Sequence, residues 1–183
     1  METSRAQYEI EVALAKTKEF SFITNIVAFN VNGQSDLLSI WHECDMLVLS
    51  KSGYLTEIEI KRSWSDFLAD FGKDHKHEGR GLIKYFYYCI PLSLLEKAYG
   101  KLEEKECTYS GIITYDESLN IAINGFRYND GHSYRYMNRV MHPNRKLFIE
   151  EQLQVARFGA MRAVILREKL TKKMCDERPL QKD

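Results

Sequence analysis

Apolar and polar positions change period several times along the chain. Between residues 5 and 18, Ala6, Ile10, Ala13, Leu14 and Thr17 recur at helical spacing and predict an amphipathic helix. Residues 24–31 are rich in β-branched and aromatic side chains and predict a strand, closed by the turn Asn32-Gly33-Gln34-Ser35. Residues 37–41 fit neither period. The clearest signal comes next: 43–49 and 54–61 read as two strands joined across Lys51-Ser52-Gly53. Ser65 then predicts a helix N-cap, with Phe67, Leu68 and Phe71 on the inner face. Residues 85–90 form an apolar, aromatic strand stopped by Pro91, and 92–105 return to helical spacing. A second hairpin is predicted for 110–115 and 119–126, across Asp116-Glu117-Ser118. A long amphipathic helix follows over 144–173, with Leu153, Ala156, Ala160, Val164 and Ile165 inward. Helices alternating with strands in this order predict an α/β fold with a mixed sheet flanked by helices. No internal repeat or Pro/Gly/Ser-rich linker divides residues 1–183, so one domain is expected.

The composition fits a soluble globular chain: 183 residues, 44% hydrophobic and 28% charged. No apolar run approaches the ~18–20 residues that span a bilayer. The first residues lack the charged-then-apolar layout of a secretory signal, so a cytoplasmic location without membrane attachment is expected. Lysine plus arginine and aspartate plus glutamate both total 26. Zero net charge argues against a protein that coats nucleic acid, but not against an enzyme pairing an acidic metal site with a local basic patch. The four cysteines, Cys44, Cys89, Cys107 and Cys175, lack the spacing of a structural zinc site. Cys44 and Cys89 lie in apolar strand-like runs and read as buried free thiols.

Candidate chemistry sits in the first hairpin. Side chains alternate between the faces of a strand. One face of residues 54–61 carries Thr56, Ile58 and Ile60, the other Leu55, Glu57, Glu59 and Lys61. On the preceding strand, Glu43 and Asp45 are expected to share a face with Leu47 and Leu49. An antiparallel turn near Ser52 sets Asp45 near Glu59, so two carboxylates and an ammonium group meet beside the start of a helix. Carboxylate oxygens suit Mg²⁺, a metal supplies a nucleophilic water, and a nearby lysine stabilises charge on a phosphate. The bare [DE]xK pattern also occurs at Asp74-His75-Lys76 and Glu103-Glu104-Lys105, in polar segments. The pattern equally fits a half-exposed hairpin with a surface Glu–Lys pair worth under ~1 kcal/mol.

The run Glu43-Cys44-Asp45-Met46-Leu47, followed by residues 52–70 with Glu59-Ile60-Lys61 at their centre, resembles a bacterial and phage family. That family is the MmcB-like group of DNA-repair-associated proteins in the PD-(D/E)XK nuclease superfamily. Tyr85-Phe86-Tyr87-Tyr88-Cys89-Ile90-Pro91 and Gly111-Ile112-Ile113 resemble its later strands, and the likeness covers residues 40–115. The resemblance implies a restriction-endonuclease-like fold, with Asp45 as motif aspartate, Glu59 as motif acid and Lys61 as motif lysine. Asp45 and Glu59 would be ligands of Mg²⁺ or Mn²⁺. Cys44 stands where the superfamily's name has proline. A helical acid often lies upstream in the superfamily, and Glu9 or Glu11 could serve, although a solvated helix face explains either residue more simply. Glu43 and Glu57 are auxiliary candidates, equally explained as exposed strand charges.

Asp66, Asp70, Lys73 and His77 recur at helical spacing, so Asp70 and Lys73 either orient the metal site or form a solvent-facing pair. Lys73, His75, Lys76, His77, Arg80 and Lys84 form the densest basic stretch nearby, either a surface for a DNA backbone or simply a solvated charge run. The basic residues of the last helix, Arg162 among them, read as solubilising. The expected function is a Mg²⁺-dependent DNA endonuclease or repair nuclease. The competing classes are a non-catalytic nucleic-acid-binding or adaptor protein keeping the fold, and a structural protein whose acids are surface charges.

Overall fold

Ile10 and Leu14, one helical turn apart, are both fully buried, and their burial fixes the first helix, α1 (Gln7–Lys16), on the protein. Each contributes about 2 kcal/mol by leaving water. The computed structural model of the chain describes residues 6–32, 37–38, 40, 42–72, 82–105, 110–129, 134–137 and 145–176. After α1 come β1 (Ile26–Asn32), β2 (Glu43–Leu49), β3 (Leu55–Ile60), α2 (Trp64–Asp70) and β4 (Ile83–Pro91). A 3-10 turn (Leu92–Leu94) leads into α3 (Leu95–Glu104), then β5 (Ser110–Tyr115), β6 (Ile121–Asn129), β7 (Tyr134–Met137) and α4 (Ile149–Asp176).

The strands lie side by side in chain order, making a mixed α/β sheet with helices on both faces. β1, β2 and β3 form an antiparallel meander, and β4 and β5 run parallel to β3. The parallel steps need crossovers, which α2 and α3 supply. β6 returns antiparallel to β5, and its outer half pairs with β7. β4 sits between two parallel neighbours, which accounts for its unbroken apolar and aromatic run. Phe67 of α2, Ala98, Tyr99 and Leu102 of α3, and Val155 of α4 pack on one face with Leu47, Leu55, Phe86 and Ile112. Ile10, Leu14 and Ala15 of α1 cover the other face, over Met46, Val48, Ile58 and Tyr87.

Several expectations change. The N-cap of α2 is Ser63, not Ser65: its Oγ accepts from the Asp66 N–H at 3.2 Å. Leu68 points outward, while Phe67 is fully buried against Tyr88 and Phe71. On α4 the inward residues are Val155 and Phe158, whereas Leu153, Val164 and Ile165 are exposed. The cause lies at Gly159, where α4 crosses β1. A Cβ there would stand 2.8 Å from the Val27 carbonyl oxygen, so close contact of helix and strand requires glycine. β7 is an addition to the expected elements, because its segment shows no clear alternation of apolar and polar residues.

One irregularity in the sheet shapes the site. Asn30 and Asp45 occupy facing positions between the Phe29–Met46 and Val31–Cys44 pairs, and Asn30 is in the left-handed region at φ 49°. Side-chain alternation breaks there on both strands. Ala28 and Val31 share one core, as do Leu47 and Cys44, while Phe29 and Met46 belong to the other. Cys44 therefore does not share a face with Met46, and Asp45 does not share one with Leu47, contrary to regular alternation.

Candidate active site

Lys61 follows β3 directly, and its N–H donates to the Cys89 carbonyl at 2.9 Å, extending the parallel ladder by one bond. Its Nζ lies 3.0 Å from Glu59 Oε2 and 2.9 Å from Asp70 Oδ1. Tyr88 of β4 donates its hydroxyl to the other oxygen of Asp70 at 2.9 Å. Lys61, Glu59 and Asp70 are only 3%, 5% and 5% exposed. This is a buried ionic network, not the half-exposed surface pair that the sequence also allowed.

Burial pushes the Glu59 carboxyl up to about 7, with the charge of Asp45 adding to the shift and Lys61 opposing it. Burial disfavours a charged lysine, but Glu59 and Asp70 outweigh it and hold the Lys61 pKa above its ordinary value. Glu59 Oε1 is buried with no hydrogen-bond partner among the described residues. A buried carboxylate oxygen without a partner costs about 1–3 kcal/mol or more. A cation would satisfy it, so Glu59 Oε1 is a candidate donor to a hard divalent metal.

Asp45 stands one register step beyond the last β2–β3 pair, Met46–Ile58, opposite Glu59. Its Oδ2 accepts from the Ile60 N–H at 2.8 Å, and its Oδ1 accepts from Gln7 Nε2 at 3.0 Å. Burial raises its pKa, while the Ile60 N–H, Lys61 and Gln7 pull it back. Asp45, Glu59 and Lys61 thus lie at one end of the hairpin, but Asp45 turns to the α1 side and Glu59 with Lys61 to the α2 side, not to the one face that regular alternation predicts. Gln7 holds Asp45 from α1, and Asp70 holds Lys61 from α2.

Of the two helical acids upstream, Glu11 rather than Glu9 turns toward Asp45. Glu9 turns back to accept from the Ala6 N–H at 3.0 Å. Glu11 is buried, and its Oε1 accepts from Gln7 at 3.1 Å and from Asn30 at 2.9 Å. Gln7 therefore bridges Glu11 and Asp45. Burial raises the Glu11 pKa, and the charge of Arg162 on α4 is among the opposing influences. Arg162 is half-buried, so it does more than solubilise its helix.

Other expected positions separate. Glu43 is exposed. Asp66 caps the Arg62 N–H at 3.0 Å on the surface, whereas Asp70 is buried against Lys61 and Tyr88. Lys73, Lys76, His77 and Arg80 lie outside the described residues. Lys84 stacks over the Tyr54 ring at 3.6 Å, near the start of β3, while Glu59 and Lys61 lie at its end. Four to six residues of strand separate these ends, on the order of 15 Å, so Lys84 does not border the acids.

Glu57 is fully buried and joins a second constellation that the sequence does not reveal. His42 Nε2 lies 2.5 Å from Glu57 Oε1. The ligand atoms of His42, Cys44 and Glu57 all fall within 4.8 Å of one another. Among the described residues no other group of three His, Cys, Asp or Glu side chains converges this closely. Burial, then the charges of Glu57 and Glu59, push the Cys44 thiol pKa up. The one trace of it in the sequence is the His42-Glu43-Cys44 spacing, which places alternate residues on one side of an extended chain.

This is an α/β protein with a buried acid–lysine network at the end of its first hairpin. A solved structure of a protein of unknown function from Silicibacter pomeroyi shares the fold, with a TM-score of 0.50, 14% identity and 100% of each chain covered. No protein-family model and no curated protein matches the chain. Among the described residues no helix is long and apolar enough to cross a membrane.

Proposed function

We propose that this chain is a metal-dependent nuclease acting on DNA, of the MmcB-like PD-(D/E)XK kind, serving repair or phage and mobile-element DNA processing. The observation that carries the reading is the buried Oε1 of Glu59, which has no hydrogen-bond partner among the described residues, with Asp45 across the hairpin and Lys61 3.0 Å from the other carboxylate oxygen. Asp45 and Glu59 would hold Mg²⁺ or Mn²⁺. Such an ion, when bound, supplies an activated water and neutralises charge on the scissile phosphate. Gln7 and the Ile60 N–H fix the Asp45 carboxylate. Asp70, itself held by the Tyr88 hydroxyl, fixes the Lys61 ammonium, which favours negative charge developing beside it.

The burial of Lys61 supports a second reading. A lysine 3% exposed and paired with Asp70 also serves to pin α2 to the sheet, as a non-catalytic nucleic-acid-binding or adaptor protein with this fold would need. Incubation of duplex, single-stranded and branched DNA with the protein and Mg²⁺ or Mn²⁺ tests both. The nuclease reading expects cleavage that EDTA, Asp45→Asn or Glu59→Gln abolishes. DNA binding without cleavage of any substrate would overturn it in favour of the second.

A further inference from the structure

We propose that His42, Cys44 and Glu57 form a binding site for a borderline-soft divalent ion, of which Zn²⁺ is the natural choice, separate from the Asp45/Glu59 pair. The donor set argues for this class of metal. Imidazole and thiolate favour zinc and its neighbours in the transition series, whereas Mg²⁺ takes oxygen donors. Geometry agrees. Zinc bonds of about 2.0–2.3 Å on a tetrahedron put ligand atoms roughly 3.5 Å apart, so a group already within 4.8 Å needs little closure.

The backbone reinforces the case. In a regular strand Cys44 would share a face with Met46 and Val48, away from Glu57. The break in alternation at Asn30 and Asp45 turns Cys44 into the core that holds Leu47 and Leu55, where it meets the Glu57 carboxylate. The same break carries Asp45 to Gln7 and the Ile60 N–H, so Asp45 turns away from Cys44 and Glu57. A thiolate and a carboxylate balance the charge of a divalent ion, which suits a place where Cys44 and Glu57 are both 0% exposed. His42 is the accessible member, its side chain 16% exposed, and marks the side from which an ion enters. Three protein ligands leave a fourth position for water. Cys44 binds as thiolate and His42 through neutral Nε2, so loading releases the thiol proton.

The test uses the full chain, stripped with a chelator and titrated with Co²⁺, then with Zn²⁺ as competitor. One equivalent of Co²⁺ should give visible d–d bands and a near-ultraviolet thiolate charge-transfer band, both removed by Zn²⁺. Cys44→Ser should eliminate the charge-transfer band. His42→Ala changes the accessible ligand. It and Glu57→Gln should each weaken Co²⁺ binding by more than about tenfold, the lower limit for loss of even an outer partner. Asp45→Asn should keep the band. No charge-transfer band in the wild type overturns the site, as does a band that survives Cys44→Ser. Weakening of less than about tenfold in His42→Ala, or loss of the band in Asp45→Asn, also overturns it.

Discussion

Asn30 and Asp45 face one another across β1 and β2, and at that point both strands swap the faces to which their side chains point. Asn30 reaches this geometry at φ 49° and donates its side-chain amide to Glu11 at 2.9 Å. One backbone irregularity thus sets where Cys44 and Asp45 go and ties β1 to α1. Asn30→Gly keeps the left-handed backbone and should cost little beyond one hydrogen bond, about 1 kcal/mol. Asn30→Val adds the penalty of a β-branched residue at positive φ, about 1–2 kcal/mol more. Urea unfolding of both variants checks the order, and equal stabilities would contradict it.

The metal-free protein should lose stability as pH rises through neutrality. The Glu59 carboxyl sits near 7 in the folded protein, against an ordinary 4.5. The folded state therefore holds the proton more tightly. Its contribution is fully present below about pH 4.5 and lost as pH rises past about 7, on the order of 3 kcal/mol. Glu59→Gln should flatten this slope and match or exceed wild-type stability at pH 8 without metal. Chemical denaturation in EDTA across pH 4.5–8 measures it.

Added Mg²⁺ or Mn²⁺ should stabilise the wild type by about 2.7 kcal/mol at one hundred times the dissociation constant. Glu59→Gln and Asp45→Asn should show little of this gain. A thermal melt with EDTA and with Mn²⁺ decides the matter, and an equal response in Glu59→Gln would remove Glu59 as a ligand.

Lys61→Met leaves Asp70 buried beside Tyr88 without its ammonium partner. Breaking a buried pair from one side costs about 3–5 kcal/mol, whereas removing both charges is often neutral. Lys61→Met with Asp70→Asn should therefore recover much of the stability that Lys61→Met loses. If the double variant is as unstable as the single one, the pair does not act as a unit.

Lys76 and Arg80 address the proposed DNA partner. Replacing both by alanine should shallow the dependence of log affinity on log salt by about two, since each phosphate that a cation neutralises accounts for about one. An unchanged slope would move the DNA surface to other residues.

The register of Asp45 against Glu59 is legible in the sequence because two residue positions and one tight turn determine it. The mixed sheet follows from strand and helix periods in the same way. The faces of Cys44 and Asp45 are not legible, since they depend on one backbone angle at Asn30, which strand periodicity does not report. The same angle hides the grouping of His42 and Glu57, because a regular strand puts Cys44 on the wrong side of the sheet. Asp70 is legible only as one of two readings: helical spacing gives its neighbours on α2 but not Lys61 or Tyr88, which reach it from other elements. On α4, apolar spacing selects Leu153, Val164 and Ile165, but Gly159 turns Val155 and Phe158 to the core instead.

Gly159 has a consequence for how copies of the protein behave together. β1 ends the sheet, and an end strand with open backbone groups is where foreign chains add to form aggregates. α4 crosses β1 where a Cβ would meet the Val27 carbonyl at 2.8 Å, and thereby shields that backbone from recruitment. Gly159→Val should lift the helix and expose the border, so its first symptom should be growth of light scattering on mild heating, before any loss of metal response. Solubility at this border rests on a residue chosen for having no side chain.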